Sequence, residues 1–207
     1  MSRIISTASE AVEADITDEM YRARKRLFVD RLKWKLAVDD RGRERDRFDR
    51  LSPVYLIDLD DRGGHRGSVR LLPTTGDTVL GDLIAEMMDG VPIASPSVWE
   101  FTRFCVTGRE APDEAKPGVE RPDVERIAVD LMLAICETCI AADVGHVVGS
   151  FDRSLHAIFT RNGWVPDLLG RSDNSRNPVY LGIWATTAES AVALRAAGGA
   201  SDPVAGS

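Results

Sequence analysis

With 207 residues, 43% of them hydrophobic, the chain can bury one sizeable core, and the simplest reading is a single domain over 1–187 with an Ala/Gly-rich tail over 188–207 expected to be mobile. No apolar run approaches a membrane span and the opening Met-Ser-Arg-Ile-Ile-Ser carries no signal-peptide core, so a cytoplasmic protein is expected. The net charge of −7 argues against a nucleic-acid partner. Residues 22–50 nevertheless hold twelve Lys or Arg against six Asp or Glu, a local +6 that suits a small anionic ligand, an acidic protein partner or a solvated helix face.

Thr17, followed by Asp18 and Glu19, predicts a helix start, and i+3/i+4 spacing then places Met20, Arg24, Leu27, Phe28 and Arg31 on one face. Arg24 falls in the middle of that apolar stripe, where a guanidinium needs carboxylate partners because burying an unpaired charge is costly. Glu44, Asp46 and Asp49, in Glu-Arg-Asp-Arg-Phe-Asp, supply them downstream of Trp34. Val54–Leu59 reads as a strand, Asp61-Arg-Gly-Gly as a turn and Gly67–Leu72 as the hairpin partner, with Arg70 projecting from its middle and Pro73 ending it. Thr78–Met88 spaces Leu80, Leu83, Ile84 and Met87 as a short helix.

Val98–Val106 is a strongly apolar strand that nonetheless carries Glu100 and Arg103. Three residues apart, the two would point to opposite faces of a regular strand, and a β-bulge near Phe101–Thr102 would bring them to one side. After a loop over 107–121, Pro122 and Asp123 open a helix to about Asp143 with Ile127, Leu131, Ile135 and Ile140 as core positions. His146–Phe151 reads as a strand, Ser154–Arg161 as a helix closed by Asn162-Gly163, and Val179–Ala185 as a final strand. This order indicates an α/β or α+β fold with a mixed sheet. Cys136 and Cys139 match C-x-x-C only inside a helical apolar pattern, so they and Cys105 read as core residues rather than as a metal site. None of His65, His146 and His156 has a Ser or Cys partner implied by sequence, and no dinucleotide or P-loop fingerprint is present.

Four motifs stand in order: Arg-x-x-x-Phe-x-x-x-x-x-Trp ending at Trp34, Glu-x-Asp-x-Phe-Asp at 44–49, Arg-Leu-Leu-Pro-Thr-Thr from Arg70, and Trp-Glu-x-Thr-Arg-Phe-x-Val from Trp99. Over about residues 20–106 this set resembles the acyl-homoserine-lactone synthases, the LuxI-type autoinducer synthases. The C-terminal half matches loosely, through Gly145 to Gly149 and Arg-Asn-Gly-Trp ending at Trp164. One departure is Ile84, where the family usually carries an aromatic. The resemblance implies an N-acetyltransferase-like mixed sheet, splayed in the middle and flanked by helices on both sides. The implied reaction acylates the α-amine of S-adenosylmethionine with an acyl thioester, on acyl carrier protein or CoA. The methionine carboxylate then attacks its own γ-carbon, releasing acyl-homoserine lactone and methylthioadenosine without a metal or redox cofactor.

Carried onto this sequence, the resemblance implies catalytic roles for Glu100, Arg103, Arg24, Asp46, Asp49 and Arg70. Phe28 and Trp34, with Arg24, Asp46 and Arg103, would bind S-adenosylmethionine, while Phe151, Ile84, Phe104 and Trp99 would form the acyl pocket. Arg153 and Arg161 would dock an acidic carrier protein. Phe151 falls where related synthases accepting 3-oxo chains often carry Thr; a register one residue different would put Ser150 there. The residue types also fit the chemistry directly. A zwitterionic sulfonium substrate needs carboxylates for its cations and a guanidinium for its carboxylate, and aromatic faces attract the sulfonium. The absence of an Arg/Gln-x-x-Gly-x-Gly/Ala loop favours a carrier-protein donor. Two other readings compete: a related-fold N-acyltransferase that acylates another amine, and a non-catalytic signal-binding module. An ion-pair network pinning the first helices to the sheet would need the same charges without catalysis.

Overall fold

The computed structural model describes residues 3–7, 13–88, 90–107, 124–172 and 178–198. Among these residues seven strands form one mixed sheet in the order β1-β2-β3-β4-β5-β7-β6. The strands β2 (Val54–Leu59), β4 (Val98–Val106), β5 (His146–Phe151) and β7 (Val179–Ala185) have the expected bounds, and β3 (His65–Pro73) is longer than Gly67–Leu72. Two strands were not expected, β1 (Arg3–Ser6) and β6 (Asp167–Ser172). Both lie at the sheet's edges: one is only four residues long, and the other, Asp-Leu-Leu-Gly-Arg-Ser, has little buried surface, so neither shows a period-2 pattern.

Every neighbouring pair is antiparallel except β4 and β5, at the centre. Those two pair from Val98 opposite His146 only as far as Phe101 opposite Gly149, and then part. The Phe101 ring occupies the last rung: a Cβ built on Gly149 would lie 2.2 Å from it, so glycine is required there. The sheet is therefore splayed in its middle. On the other edge of β4, Ser68 pairs with Cys105 and Arg70 with Thr102, so β4 carries one extra residue. The bulge sits at Arg103–Phe104, just past the expected Phe101–Thr102, and Arg103 adopts a left-handed φ of 55°.

Helices cover both faces. α3 (Val124–Ala141) lies on one, burying Ile127, Leu131, Ile135 and Cys139 against Leu56, Val69, Leu71 and Phe101. Each such aliphatic side chain removed from water contributes about 1.5–3 kcal/mol. Ile140 is a correction: the i+4 stripe continues to Cys139, and the next residue turns outward to 42% exposure. The tail expected from residue 188 is a second correction, because Ala188–Gly198 forms a helix, α5, whose Ala191 and Leu194 join the same core cluster. Residues 199–207 lie outside the described residues, as do most of the 107–121 loop and Pro122–Asp123. α4 (Arg153–Arg161) is capped by the Asp152 side chain, which accepts from the Leu155 N–H at 2.8 Å.

On the opposite face α1 (Ala14–Arg24) sets Met20 and Tyr21 on Tyr55, Ile57 and Leu59, while α2 (Gly81–Met87) sets Ile84 on Val98, Val148 and Leu181. α1 starts before Thr17, whose hydroxyl donates to the Ala14 carbonyl instead of capping. It continues as π-helical turns over Lys25–Arg31, a feature frequent beside functional sites. The wider turn leaves Phe28 buried and Arg31 exposed, so the predicted face ends at Phe28. Among the described residues no helix is long and apolar enough to cross a membrane.

Candidate active site

Three arginines from three elements converge on one side of the sheet. Arg24 arrives at the end of α1, Arg70 from the middle of β3 and Arg103 from the bulge in β4. Their partners come from the segment 44–49, and its spacing explains how. Asp46 caps a 3-10 turn, Arg47–Arg50, by accepting from the N–H groups of Phe48 at 2.9 Å and Asp49 at 3.2 Å. The Asp49 carboxylate reaches back to the Asp46 N–H at 2.8 Å. This reciprocal cap folds two carboxylates three residues apart onto one spot.

The network is bidentate where it is deepest. Arg24 donates Nε to Glu44 at 2.6 Å and both terminal nitrogens to Asp49 at 2.9 and 3.1 Å. Arg70 grips Asp46 at 2.7 and 3.0 Å, shares Asp49 at 2.7 Å and donates Nε to the Thr102 hydroxyl at 3.1 Å. Arg103 spans Glu44 at 3.1 Å and Asp46 at 2.9 Å. The Tyr55 hydroxyl donates to Asp49 at 2.6 Å and is itself within 3.0 Å of the Tyr21 hydroxyl. Three guanidinium groups thus balance Glu44, Asp46 and Asp49, and removing one member would leave a buried charge unpaired at a cost of about 3–5 kcal/mol.

Electrostatics follow from that balance. Burial alone would raise the Asp49 pKa, but the hydrogen bonds and charges of Arg24 and Arg70 prevail and hold it well below the usual carboxylate range. Burial likewise works to lower Arg24 and Arg70, and their carboxylate partners override it and raise both. Glu100 stands apart. It is fully buried and meets no guanidinium; its oxygens accept from the backbone N–H groups of Val79 at 2.9 Å and Leu80 at 3.1 Å. Burial raises its pKa, and those two N–H groups only partly offset the rise.

Beside the cluster, where β4 and β5 part, lies a cavity of about 230 Å³. Thr102, Arg103 and Phe104 line it from β4, and Ser150, Phe151 and Asp152 face them across the splay. Phe28 and Trp34 form its rim, with ring centroids 5.0 Å apart and planes at 21°, and the Arg103 guanidinium lies 5.8 Å from the Phe28 ring. Trp34 keeps 49% exposure, leaving one face of the indole open.

The structure therefore gathers Arg24, Asp46, Asp49, Arg70 and Arg103 into one cluster and places Phe28, Trp34, Phe104 and Phe151 on the cavity wall. Ile84 and Trp99 are not on that wall. Ile84 sits behind Leu80 in the core under α2, and Trp99 leaves β4 where it is still paired with β5, packing on the main core. Glu100 too is absent from the wall, shielded by Val79 and Leu80, which are on it. Both Ser150 and Phe151 border the cavity, so either register for the strand end puts its residue on the same space. Arg153 and Arg161 are exposed at the two ends of α4, and Arg161 pairs with Glu125 at 3.0 Å. Glu44, expected as a carboxylate partner of Arg24, is the acidic hub of the cluster, while Tyr21, Tyr55 and the Thr102 hydroxyl are members that the sequence does not single out. Glu44 belongs to the same motif as Asp46, and Tyr55 lies opposite Arg70 in the hairpin, so the pairing itself carried the signal.

Comparison with known proteins gives the cluster a context. A family model described as autoinducer synthase matches residues 7–194. The chain is 34% identical to an acyl-homoserine-lactone synthase of Rhizobium etli, across 95% of this chain and 89% of that one. Its fold superposes on TofI in a ternary complex with an inhibitor and MTA, with a TM-score of 0.74 and 26% identity over 93% of this chain and 96% of that one. It also superposes on BjaI, a CoA-dependent acyl-homoserine lactone synthase solved with SAM and isopentyl-CoA, with a TM-score of 0.76 and 24% identity over 95% and 88%. A more distant likeness, with a TM-score of 0.55 and 16% identity over 90% and 99%, is to a candidate N-acetyltransferase from Lactobacillus plantarum, which agrees with the architecture of the sheet.

Proposed function

This chain belongs to the autoinducer synthase family and is an acyl-homoserine-lactone synthase, and we propose that its reaction takes place where the arginine and carboxylate cluster opens onto the cavity at the sheet splay. It makes acyl-homoserine lactone from S-adenosylmethionine and an acyl thioester, and needs no cofactor. One observation carries the proposed location: a charge-balanced buried cluster adjoins an aromatic-rimmed cavity where β4 and β5 part.

Within the cluster, the side chains of Asp46 and Arg103 keep 20% and 10% exposure, whereas those of Arg24, Glu44, Asp49 and Arg70 keep at most 1%. We assign Asp46 and Arg103 to the amine and carboxylate of S-adenosylmethionine, with Phe28 and Trp34 on its adenine and sulfonium. The four buried groups hold those two in place. The free amine attacks the thioester carbonyl, the thiol leaves, and a proton passes from the nitrogen to a base. Glu100 is our choice of base; it lies behind Val79 and Leu80, so the proton would reach it through water admitted past that segment. Among the described residues it is the carboxylate of this set that no guanidinium hydrogen-bonds; burial raises its pKa, which the Val79 and Leu80 N–H groups and the charge of Arg70 only partly offset, and the rise improves it as a proton acceptor. Arg103 and Phe104 pair with neither neighbouring strand, so their N–H groups are candidates to meet the thioester oxyanion. The methionine carboxylate then attacks its γ-carbon and expels methylthioadenosine.

Incubation with S-adenosylmethionine and a series of acyl thioesters, read by mass spectrometry, tests this. Lactone and methylthioadenosine should form in equal amounts, and folded Glu100→Gln should lose at least about tenfold in turnover, within the usual worth of a general base. Full turnover in that variant would remove Glu100 from the mechanism. We place the enzyme in the cytoplasm, with an acidic carrier protein docking on Arg153 and Arg161. Charge reversal at Arg153 should raise the Michaelis constant for a carrier-protein donor and leave that for a CoA thioester unchanged; equal effects on both would refute the docking site.

A further inference from the structure

The acyl chain of the donor must leave the charged cluster for apolar surface, and the cavity offers it few directions. Between the strands the way is closed by Phe101, 1% exposed, whose ring fills the last rung against Gly149 and packs edge-on against Trp184 and Phe159. Across the splay, Phe151 packs against both the His156 and the Tyr180 rings, at 5.5 and 5.8 Å, and those two rings also lie 5.8 Å from each other. Phe104 is different. It is half-buried, follows the left-handed Arg103, and touches Phe101 and Phe159 only edge-on at 6.3 Å.

Behind Phe104 lies a second cavity, of about 30 Å³, on the α3 side of the sheet. Val106, Val124, Ala128 and Ile158 form its outer wall, and every described residue around it is apolar. Leu27, Phe104 and Leu155 border both spaces. We propose that the Phe104 ring is the partition between the two cavities and that it sets the length of acyl chain the enzyme accepts. This rests on the synthase reading and deepens it. The main cavity of about 230 Å³ is smaller than the roughly 300–1,000 Å³ of pockets that enclose drug-sized ligands, and the methionine end of S-adenosylmethionine shares it. The accepted chain is therefore short, ending against the Phe104 ring.

Truncating the ring joins the cavities and opens an apolar path towards α3. The test compares wild type and Phe104→Ala with S-adenosylmethionine and unbranched thioesters from butanoyl to dodecanoyl, measuring kcat/KM for each and melting each protein. In Phe104→Ala the preferred chain should lengthen by about two or more methylenes, with kcat/KM for the longer donor rising at least about tenfold, the scale on which a pocket senses one methylene. The Michaelis constant for S-adenosylmethionine should stay within about twofold. Ala128→Leu added to Phe104→Ala refills the second cavity and should restore the short preference. An unchanged order of donors in a folded Phe104→Ala, or no restoration by Ala128→Leu, overturns the proposal. If Phe104→Ala does not fold, Phe104→Leu decides by the same criterion. A wild type that forms no lactone from any thioester would instead overturn the synthase reading, so the two failures are distinct.

Discussion

Asp58 is a buried residue that the cluster does not use. It lies on β2, fully buried, and neither carboxylate oxygen has a hydrogen-bond partner among the described residues, although the Arg66 Nε is 3.6 Å away. Burial pushes its pKa from 3.8 up to about 7; the charges of Arg66 and Arg126 oppose the shift, and those of Asp130 and Asp60 add to it. The sign follows from proton linkage. Between pH 4 and 7, roughly, the folded chain binds more protons at this site than the unfolded chain, so its contribution to stability falls as pH rises through that window. Asp58→Asn removes the dependence. The variant should melt higher than wild type at pH 8, and the gap should close as pH falls towards 4; a gap independent of pH would show that Asp58 does not titrate as described. The contrast with Asp49 shows how far a residue's role is legible from sequence. Both are buried acids, but only Asp49 stands in a motif whose spacing predicts partners, whereas the burial of Asp58 depends on α3, far away in the chain.

Among the elements, β4 was read with its correct bounds because nine apolar-rich residues leave little alternative, and its two charges signalled a bulge. The bulge lies at Arg103–Phe104 because there β4 has already left β5, so an extra residue costs no pairing on that side. Its consequence was legible: Arg103 reaches Glu44 and Asp46 on the side of the sheet that also holds Arg70. Its left-handed backbone was not, since a non-glycine residue at φ 55° gives no signal in the sequence. This strain makes a prediction. Arg103→Gly relieves the backbone but removes the guanidinium, so it should melt higher than Arg103→Ala while both lose at least about tenfold in lactone synthesis, the scale of a lost charge-assisted contact. A higher melting temperature for Arg103→Ala would show that the left-handed conformation carries no strain. The edge strands β1 and β6 and the helix α5 were missed for a common reason: each is specified by its neighbours more than by its own pattern. α5 in particular reads as Ala-rich and featureless until α3 supplies the surface that buries Ala191 and Leu194.

In the whole molecule, the α3 face supplies the core and the opposite face holds the charge, with the cavity opening where the central strands part. The mixed sheet, its central splay and the helices on both faces agree with what the motifs imply for this family, and most of the expected residues meet at one place. Of the exceptions, Ile84 and Glu100 lie behind Leu80 and Val79, and Trp99 packs on the main core where β4 and β5 are still paired, placements that strand alternation and motif order do not resolve. What ties the arrangement to function is the claim that Phe28, Trp34 and the exposed edge of the cluster bind S-adenosylmethionine. Trp34 is the sharpest probe, because its 49% exposure means that its removal costs the fold little. Calorimetric titration of S-adenosylmethionine into wild type and Trp34→Ala tests the claim most directly. Saturable binding should appear in wild type and weaken at least about fivefold in Trp34→Ala, in keeping with about 1 kcal/mol or more for a cation over an aromatic face, with the melting temperature unchanged. Equal affinity in the two proteins would contradict the assignment of this site to S-adenosylmethionine.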